Sequence, residues 1–352
     1  MEKAIYEFQI EGEPIECKVL GNGHINDTFK VTTDKKKQYV LQQINTYVFK
    51  KPVELMENVV AVTEHIRDKI NDPRRTLHFL PAKDGKFYFE EDGKFWRCYE
   101  FVDGFCLSKP ETDDDLYEGA VAFGNFEQWL ADFSAETLNE TIPDFHNTPK
   151  RYQAFKKAFH DDVCGRAKEV QEEYDFAIAR EKEAGKIQEM LDAGKIPLCV
   201  THNDTKFDNV LLDKKTRKAL CVLDLDTVMP GTRLMDYGDS IRSGAATAAE
   251  DASQGVALDL HAFEVYTKGY LNTCTSLTEA EIDLLPLSVK TITLELAIRF
   301  LTDYLEGDKY FKIDYPEHNL VRARTQFELA ADMEKKYQQM QEIVAKCKEE
   351  RK

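Results

Sequence analysis

The sequence predicts an α+β chain, with an N-terminal antiparallel β-sheet lobe followed by a mainly helical C-terminal lobe. Three observations predict it. Strand-like runs punctuated by turn dipeptides fill the chain up to Phe101, and a compact strand-rich island returns at residues 196–226. The remainder beyond Asp103 carries helical texture. The change falls at Val102-Asp103-Gly104, which divides the chain into an N-terminal lobe of residues 1–103 and a C-terminal lobe of residues 104–352.

Taken in order, alternation at Ile15–Leu20 and Thr28–Thr33 predicts two strands, and Gln38–Ile44 a third. Asp84-Gly85 and Asp92-Gly93 are turn dipeptides bounding Phe87–Phe89 and Phe95–Phe101, which predicts a hairpin. One helix interrupts this sheet, Val53–Ile70, with Val53, Met56, Val59 and Ile66 near one face. Asp113–Phe133 predicts a helix rich in Ala, Phe and Leu, and Tyr152–Gly194 a long charged helical region. Strands follow near Leu198–Thr201, Val210–Leu212 and Ala219–Leu225, the last two joined by the turn Asp213–Lys218. From Phe263 the pattern is helical again and ends in a surface-charged helix over Gln326–Lys352.

The chain has 352 residues, enough for two lobes and a sizeable core. A net charge of −17 argues against a nucleic-acid or anionic-membrane partner, because neutralising phosphate needs a basic face. It does not exclude a nucleotide, whose phosphates are handled locally by backbone amides and metal ions. No run reaches the roughly 18 apolar residues of a membrane span. The 8 cysteines form no C-x-x-C pair, which points to a reducing cytoplasm and buried thiols.

The chemistry is concentrated in Leu198–Asp226. His202, Asp204 and Asn209 give the spacing H-x-D-x-x-x-x-N, and Asp224 closes an apolar strand further on. Protein kinases carry a catalytic Asp, an Asn five residues later and a subsequent metal-binding Asp in this arrangement. A loop leaving a buried strand presents Asp204 as a proton acceptor. Asn209 at the next strand and Asp224 at the end of the hairpin can offer oxygen ligands to one Mg²⁺. Asp226 either shares that metal or hydrogen-bonds the loop. Gly21 and Gly23, between two strands, fit a loop whose backbone N–H groups approach phosphates, although a plain hairpin turn explains them equally well.

These residues, with GNGHIN (21–26), YVLQQIN (39–45), LDLDTVMPG (223–231), DYGDSIR (236–242), RFLTDYLEGDKYF (299–311) and YPEHNLVRARTQ (315–326), resemble the aminoglycoside phosphotransferase-like, or choline-kinase-like, small-molecule kinases. Several blocks resemble the sugar-kinase group within that family. The resemblance implies a protein-kinase-like bilobal fold, ATP and Mg²⁺, and phosphorylation of the anomeric hydroxyl of N-acetylglucosamine or N-acetylgalactosamine. It implies Asp204 as base, Asn209 and Asp224 on the metal, and Gly21 and Gly23 over the phosphates. Glu100 and Val102 fit the hinge that meets the adenine edge. His24 belongs either to the nucleotide side or to the sugar; the residues alone leave Arg299 and Tyr310 as a polar helix face with core aromatics, and the resemblance implies that they contact sugar hydroxyls. Where protein kinases carry the phosphate-binding Lys, this chain has Gln42 or Gln43, which weakens any claim for an ion pair with Glu57. Asp236 and Asp239 resemble a structural motif behind the catalytic loop.

The competing reading is a kinase of the same fold acting on an amino alcohol, amino acid or aminoglycoside, whose cationic acceptor calls for an acidic or aromatic cage. A pseudokinase would lack Asp204 or Asp224, and both are present. The partners expected are ATP and a small sugar, with neither nucleic acid nor membrane; monomer and dimer both remain open.

Overall fold

The computed structural model describes residues 3–21, 25–252 and 254–351. The N-terminal part contains strands β1 (Pro14–Val19), β2 (Asp27–Thr33) and β3 (Gln38–Ile44), helix α1 (Pro52–Lys69), and strands β4 (Phe89–Glu91) and β5 (Lys94–Glu100). These strands form one antiparallel sheet in the order β1-β2-β3-β5-β4. The hairpin between β4 and β5 turns at Asp92 and Gly93, both at positive φ (51° and 74°), the left-handed pair a tight two-residue turn requires.

Register matters most in the middle of this sheet. Gln42 on β3 lies opposite Thr28 on β2 and Arg97 on β5, so the three side chains form a row across one face. Helix α1 packs beneath through Leu55, Met56, Val59, Val62 and Ile66, the apolar stripe expected of it.

The C-terminal part is mainly helical: α2 (Asp113–Trp129), α3 (Thr148–Asp161), α4 (Gln171–Ile178), α5 (Glu181–Ala184) and α6 (Lys186–Asp192) precede the strand island. That island comprises β6 (Cys199–Thr201), β7 (Val210–Leu212), β8 (Ala219–Val222) and β9 (Met229–Gly231). The strands pair as two antiparallel ribbons, β6 with β9 and β7 with β8. Helices α7 (Arg233–Gly244), α8 (Leu260–Thr273), α9 (Glu279–Glu306) and α10 (His318–Glu349) complete the chain. Among the described residues no helix is long and apolar enough to cross a membrane.

An apolar cluster ties the sheet to the island. It includes Ile44 and Phe95 from the sheet, Val59 from α1, Phe126 from α2, and Val200 and Val210 beside the loop that follows β6. Truncating a buried Phe in such a cluster costs on the order of 3–5 kcal/mol, so the island sits on a rigid floor.

Four expectations need correction. Residues 152–194 are not one helix, because Asp162 turns left-handed (φ 42°) after α3 and its carboxylate accepts the N–H of Ala167 at 2.9 Å, reversing the chain. The strand expected to run to Leu225 stops at Val222, because Asp224 takes a left-handed conformation. The last helix begins at His318, and its Phe327, Leu329, Ala330, Met333 and Met340 are buried, so it is a core helix with one charged face. All eight thiols are free as expected, but Cys106 and Cys164 are exposed.

Candidate active site

The loop after β6 is held in place from α7. The two carboxylate oxygens of Asp236 accept the N–H groups of His202 at 2.6 Å and Asn203 at 2.7 Å. Thr205 donates its hydroxyl to the Asp236 carbonyl at 2.7 Å, and Ser240 donates to the Thr205 carbonyl at 3.1 Å. Burial pushes the Asp236 carboxyl above its ordinary range, against the pull of His202 and of the two backbone N–H groups. Asn203 occupies the left-handed region (φ 65°), which Asn tolerates better than most residues, and its amide donates to the Thr227 carbonyl at 2.8 Å.

His202 is fully buried, edge-on to Phe123 and Phe126. Its Nε2 faces the Leu223 carbonyl at 2.8 Å and its Nδ1 faces the Asp204 N–H at 3.3 Å. With Nε2–H donating to the Leu223 carbonyl and Nδ1 accepting the Asp204 N–H, both partners are satisfied. The imidazole thereby links the loop bearing Asp204 to the strand that leads to Asp224.

The Asp204 side chain is 28% exposed, with its carboxylate 3.0 Å from Lys206 Nζ. Asn209 donates its amide N–H to the Asp204 carbonyl at 2.9 Å, which leaves the amide oxygen as the atom able to bind a cation. Burial works against the charge of Lys206, but Asp204, then Asp239 and Asp208, outweigh it and its pKa is raised.

Asp224 stands in the left-handed conformation (φ 55°, ψ 58°) and opens to solvent on one side. Protein atoms crowd the carboxyl, and the negative charges of Asp226 and Asp204 act in the same direction, pushing its pKa up to about 7. Arg97 and Lys206 oppose that rise. Such a carboxylate gains from a nearby cation. Among the described residues no three His, Cys, Asp or Glu side chains gather into a metal-binding group. Mg²⁺ does not need one: it is commonly held by one or two carboxylates with phosphate and water completing the shell. Asp224 and the Asn209 amide oxygen fit that role.

Asp226 is not exposed in the same way. It is 2% exposed, forms an ion pair with Arg97, and accepts the Asn26 amide at 2.7 Å on its other oxygen. Of the two roles left open for it, the structure displays hydrogen bonding.

Gln42 is engaged at both ends of its amide. Its nitrogen donates to Thr28 Oγ1 and its oxygen accepts from Arg97 Nε, each at 2.9 Å. Glu57 on α1 accepts from Asn139 at 3.0 Å rather than from a strand cation. Gly21 lies in the turn after β1 at φ 71°, whereas Gly23 and His24 lie outside the described residues. At the hinge, the N–H groups of Glu100 and Phe101 are tied to the carbonyls of His78 and Gln38, and Val102 packs on the apolar cluster.

Arg299 and Tyr310 share a neighbour, Phe311, on the helical side. The Arg299 guanidinium lies over the rings of Phe145 (5.1 Å) and Phe311 (5.8 Å), and Tyr310 stands edge-on to Phe311 at 4.8 Å. Asp303 fixes that segment by accepting the N–H groups of Lys309, Tyr310 and Phe311 at 2.8–2.9 Å. Buried Glu295 lies 4.0 Å from Arg299 and 2.7 Å from His146 Nδ1, and His146 Nε2 approaches the Asn203 carbonyl at 3.4 Å. A chain of contacts therefore runs from Arg299 to the loop that carries Asp204. Arg151, whose pKa burial lowers and Arg299 lowers further, adds a second guanidinium here.

The sequence reading passed over Lys206, Arg97 and Arg151. Lys206 was legible as the cation two residues after Asp204. Arg97 stands out as a lone charge within the apolar run Phe95–Tyr99. Arg151 carries no local signal.

A model of the phosphotransferase enzyme family matches residues 16–269. The chain belongs to that family. Solved structures share its fold across nearly the whole chain. An aminoglycoside phosphotransferase from Alicyclobacillus acidocaldarius superposes with a TM-score of 0.64 at 12% identity, covering 99% of this chain and 95% of its own. A microcompartment-associated aminopropanol kinase gives 0.60 at 15% identity, covering 96% and 97%. A choline kinase from Cryptosporidium parvum gives 0.58 at 15%, covering 93% and 91%. This phosphotransferase thus has the bilobal fold of those kinases, an antiparallel sheet in front of a mainly helical body.

Proposed function

We propose that this phosphotransferase transfers the γ-phosphoryl group of ATP to the anomeric hydroxyl of an N-acetylhexosamine, giving the sugar 1-phosphate. The observation that carries the reading is the placing of Asp204. Its carboxylate pairs with Lys206, its backbone carbonyl accepts the Asn209 amide, its charge reaches Asp224, and the loop that carries it is linked through His146 and Glu295 to Arg299. Asp204 accepts the proton of the attacking hydroxyl, and Lys206 steadies its charge and faces the incoming phosphoryl group. Magnesium, when bound at Asp224 and Asn209, supplies charge neutralisation at the β- and γ-phosphates. Position does the rest, because phosphoryl transfer asks little covalent chemistry of the protein.

The acceptor side favours a neutral sugar. Amicoumacin kinase, which shares the fold at a TM-score of 0.63, was solved in complex with AMP-PNP, Ca²⁺ and Ami; other neighbours are named as aminopropanol, ethanolamine and choline kinases. Amino alcohols and choline carry a positive charge, which two guanidiniums repel. Arg299 instead offers donors to hydroxyl and acetamido oxygens, Arg151 adds positive charge while its Nε and Nη2 hold the Phe145 carbonyl, and Phe145 and Phe311 offer apolar faces to the ring. The anomeric hydroxyl is the most acidic on a free sugar, which suits a carboxylate base of ordinary strength. The same reading divides the chain near Asp103 into a nucleotide-binding lobe and a catalytic, sugar-binding lobe.

The test is ATP consumption against a panel of N-acetylglucosamine, N-acetylgalactosamine, glucose, ethanolamine, choline and kanamycin. Turnover confined to the acetamido sugars supports the reading. Turnover of the amines alone overturns it in favour of the amino-alcohol alternative.

A further inference from the structure

We infer that Arg97 is a positioning residue for the metal-binding carboxylate: through Asp226 it fixes Asp224, acting from strand β5 in place of a lysine on strand β3. The inference rests on the cleft being a nucleotide–metal site and deepens that reading.

In protein kinases a β3 lysine pairs with a helix glutamate and with the nucleotide phosphates. Neither half of that pair is present here. Strand β3 carries Gln42, whose amide is engaged with Thr28 and Arg97, and Glu57 on α1 accepts from Asn139. The cation has moved one strand sideways, onto the residue directly opposite Gln42. Its partner has moved from the helix to the turn that bears Asp224.

The joint is buried and built from several directions. Arg97 is 3% exposed and Asp226 2% exposed, so the pair lies out of water. Gln42 holds Arg97 Nε at 2.9 Å, and Asn26 holds the second oxygen of Asp226 at 2.7 Å. The Asn26 amide oxygen in turn accepts the Asn45 N–H at 2.9 Å, at the end of β3. Leu225, between the two aspartates, is anchored in the apolar cluster that joins the sheet to the island. Asp224 therefore leaves a turn whose next two residues are both fixed.

Two effects of Arg97 on a cation at Asp224 oppose each other. Its positive charge reaches Asp224 and by itself weakens the hold on a metal. Its hydrogen bonds hold Asp226, and with it the left-handed turn, in the shape that aims Asp224. Position wins, because without Arg97 the buried Asp226 is left without its counter-charge and must leave its place.

The test uses the full chain with a non-hydrolysable ATP analogue and Mn²⁺, following free Mn²⁺ by electron paramagnetic resonance, so no acceptor is needed. Arg97→Met and Asp226→Asn are each expected to raise the Mn²⁺ dissociation constant by about tenfold, the scale on which outer partners of metal ligands act. Because both act through one joint, the double variant should match a single one rather than show the product of the two. The double variant buries no lone charge, so it carries the test if Arg97→Met alone fails to fold. An unchanged constant in the folded double variant, multiplicative effects, or tighter binding in Arg97→Met would overturn the inference. A wild-type chain that binds no Mn²⁺ with the nucleotide overturns the nucleotide–metal reading itself.

Discussion

Asp236 grips His202 and its neighbour through two backbone N–H groups at 2.6 and 2.7 Å, so a side chain on α7 sets the path of the loop that presents Asp204. A carboxylate can do this because it accepts at both oxygens without a donor of its own. Asp236→Ala leaves two buried N–H groups unpaired, each costing about 1–3 kcal/mol. The expected result is a lower melting temperature and a kcat reduced at least about tenfold, with Asp236→Asn milder because one acceptor remains. Thermal unfolding and steady-state kinetics on the two variants check it; a folded Asp236→Ala chain with full kcat would refute the scaffolding role.

Asp204→Asn should keep the fold and the affinity for nucleotide but lower kcat by about 10²-fold or more, the scale of losing a general base. Calorimetric titration with an ATP analogue and single-turnover rates separate the two effects. Near-normal turnover would remove Asp204 from the role of base.

Asp224→Ala should abolish turnover at every Mg²⁺ concentration, because it removes the only charged ligand assigned to the metal that offsets phosphate charge. Asn209→Ala removes a neutral ligand and should instead raise the Mg²⁺ concentration needed for half-maximal rate. Mg²⁺-dependence curves for both variants distinguish them, and an active Asp224→Ala enzyme would move the metal elsewhere.

The layout of the fold was legible because its signals are local. Alternation in Gln38–Ile44, the turn at Asp92-Gly93 and the H-x-D-x-x-x-x-N spacing each lie within a few residues. The joint between Arg97 and Asp226 was not legible, since its partners stand 129 residues apart and meet only through tertiary packing. Gln42 or Gln43 was read as standing in the place of the phosphate-binding Lys on β3, but that place says nothing of Thr28 and Arg97 on either side of Gln42. The break after α3 also escaped notice, because Asp162 is a weaker marker of left-handed backbone than glycine.

Glu127 gives a pH prediction independent of the metal. It is buried, accepts from the Tyr270 hydroxyl, and burial, reinforced by the charge of Asp236, raises its pKa well above the ordinary value. The unfolded chain therefore ionises this group first as pH rises, so its contribution to stability is greatest below the unfolded pKa of 4.5 and is lost as pH climbs toward the folded value. Glu127→Gln removes that loss. Its melting temperature relative to wild type should climb from pH 5 to pH 8, by at most about 1.4 kcal/mol of stability per pH unit. A flat difference across that range would mean that Glu127 is charged in the folded protein.

The measurement that bears most directly on the proposed reaction is phosphorus and proton magnetic resonance of the product formed from N-acetylglucosamine or N-acetylgalactosamine with ATP and Mg²⁺. The proposed orientation, with Asp204 on the anomeric hydroxyl and Arg299 on hydroxyls across the ring, predicts a 1-phosphate: the reducing end disappears and phosphorus couples to H1. A 6-phosphate would contradict the orientation, and no turnover of either sugar would contradict the choice of acceptor.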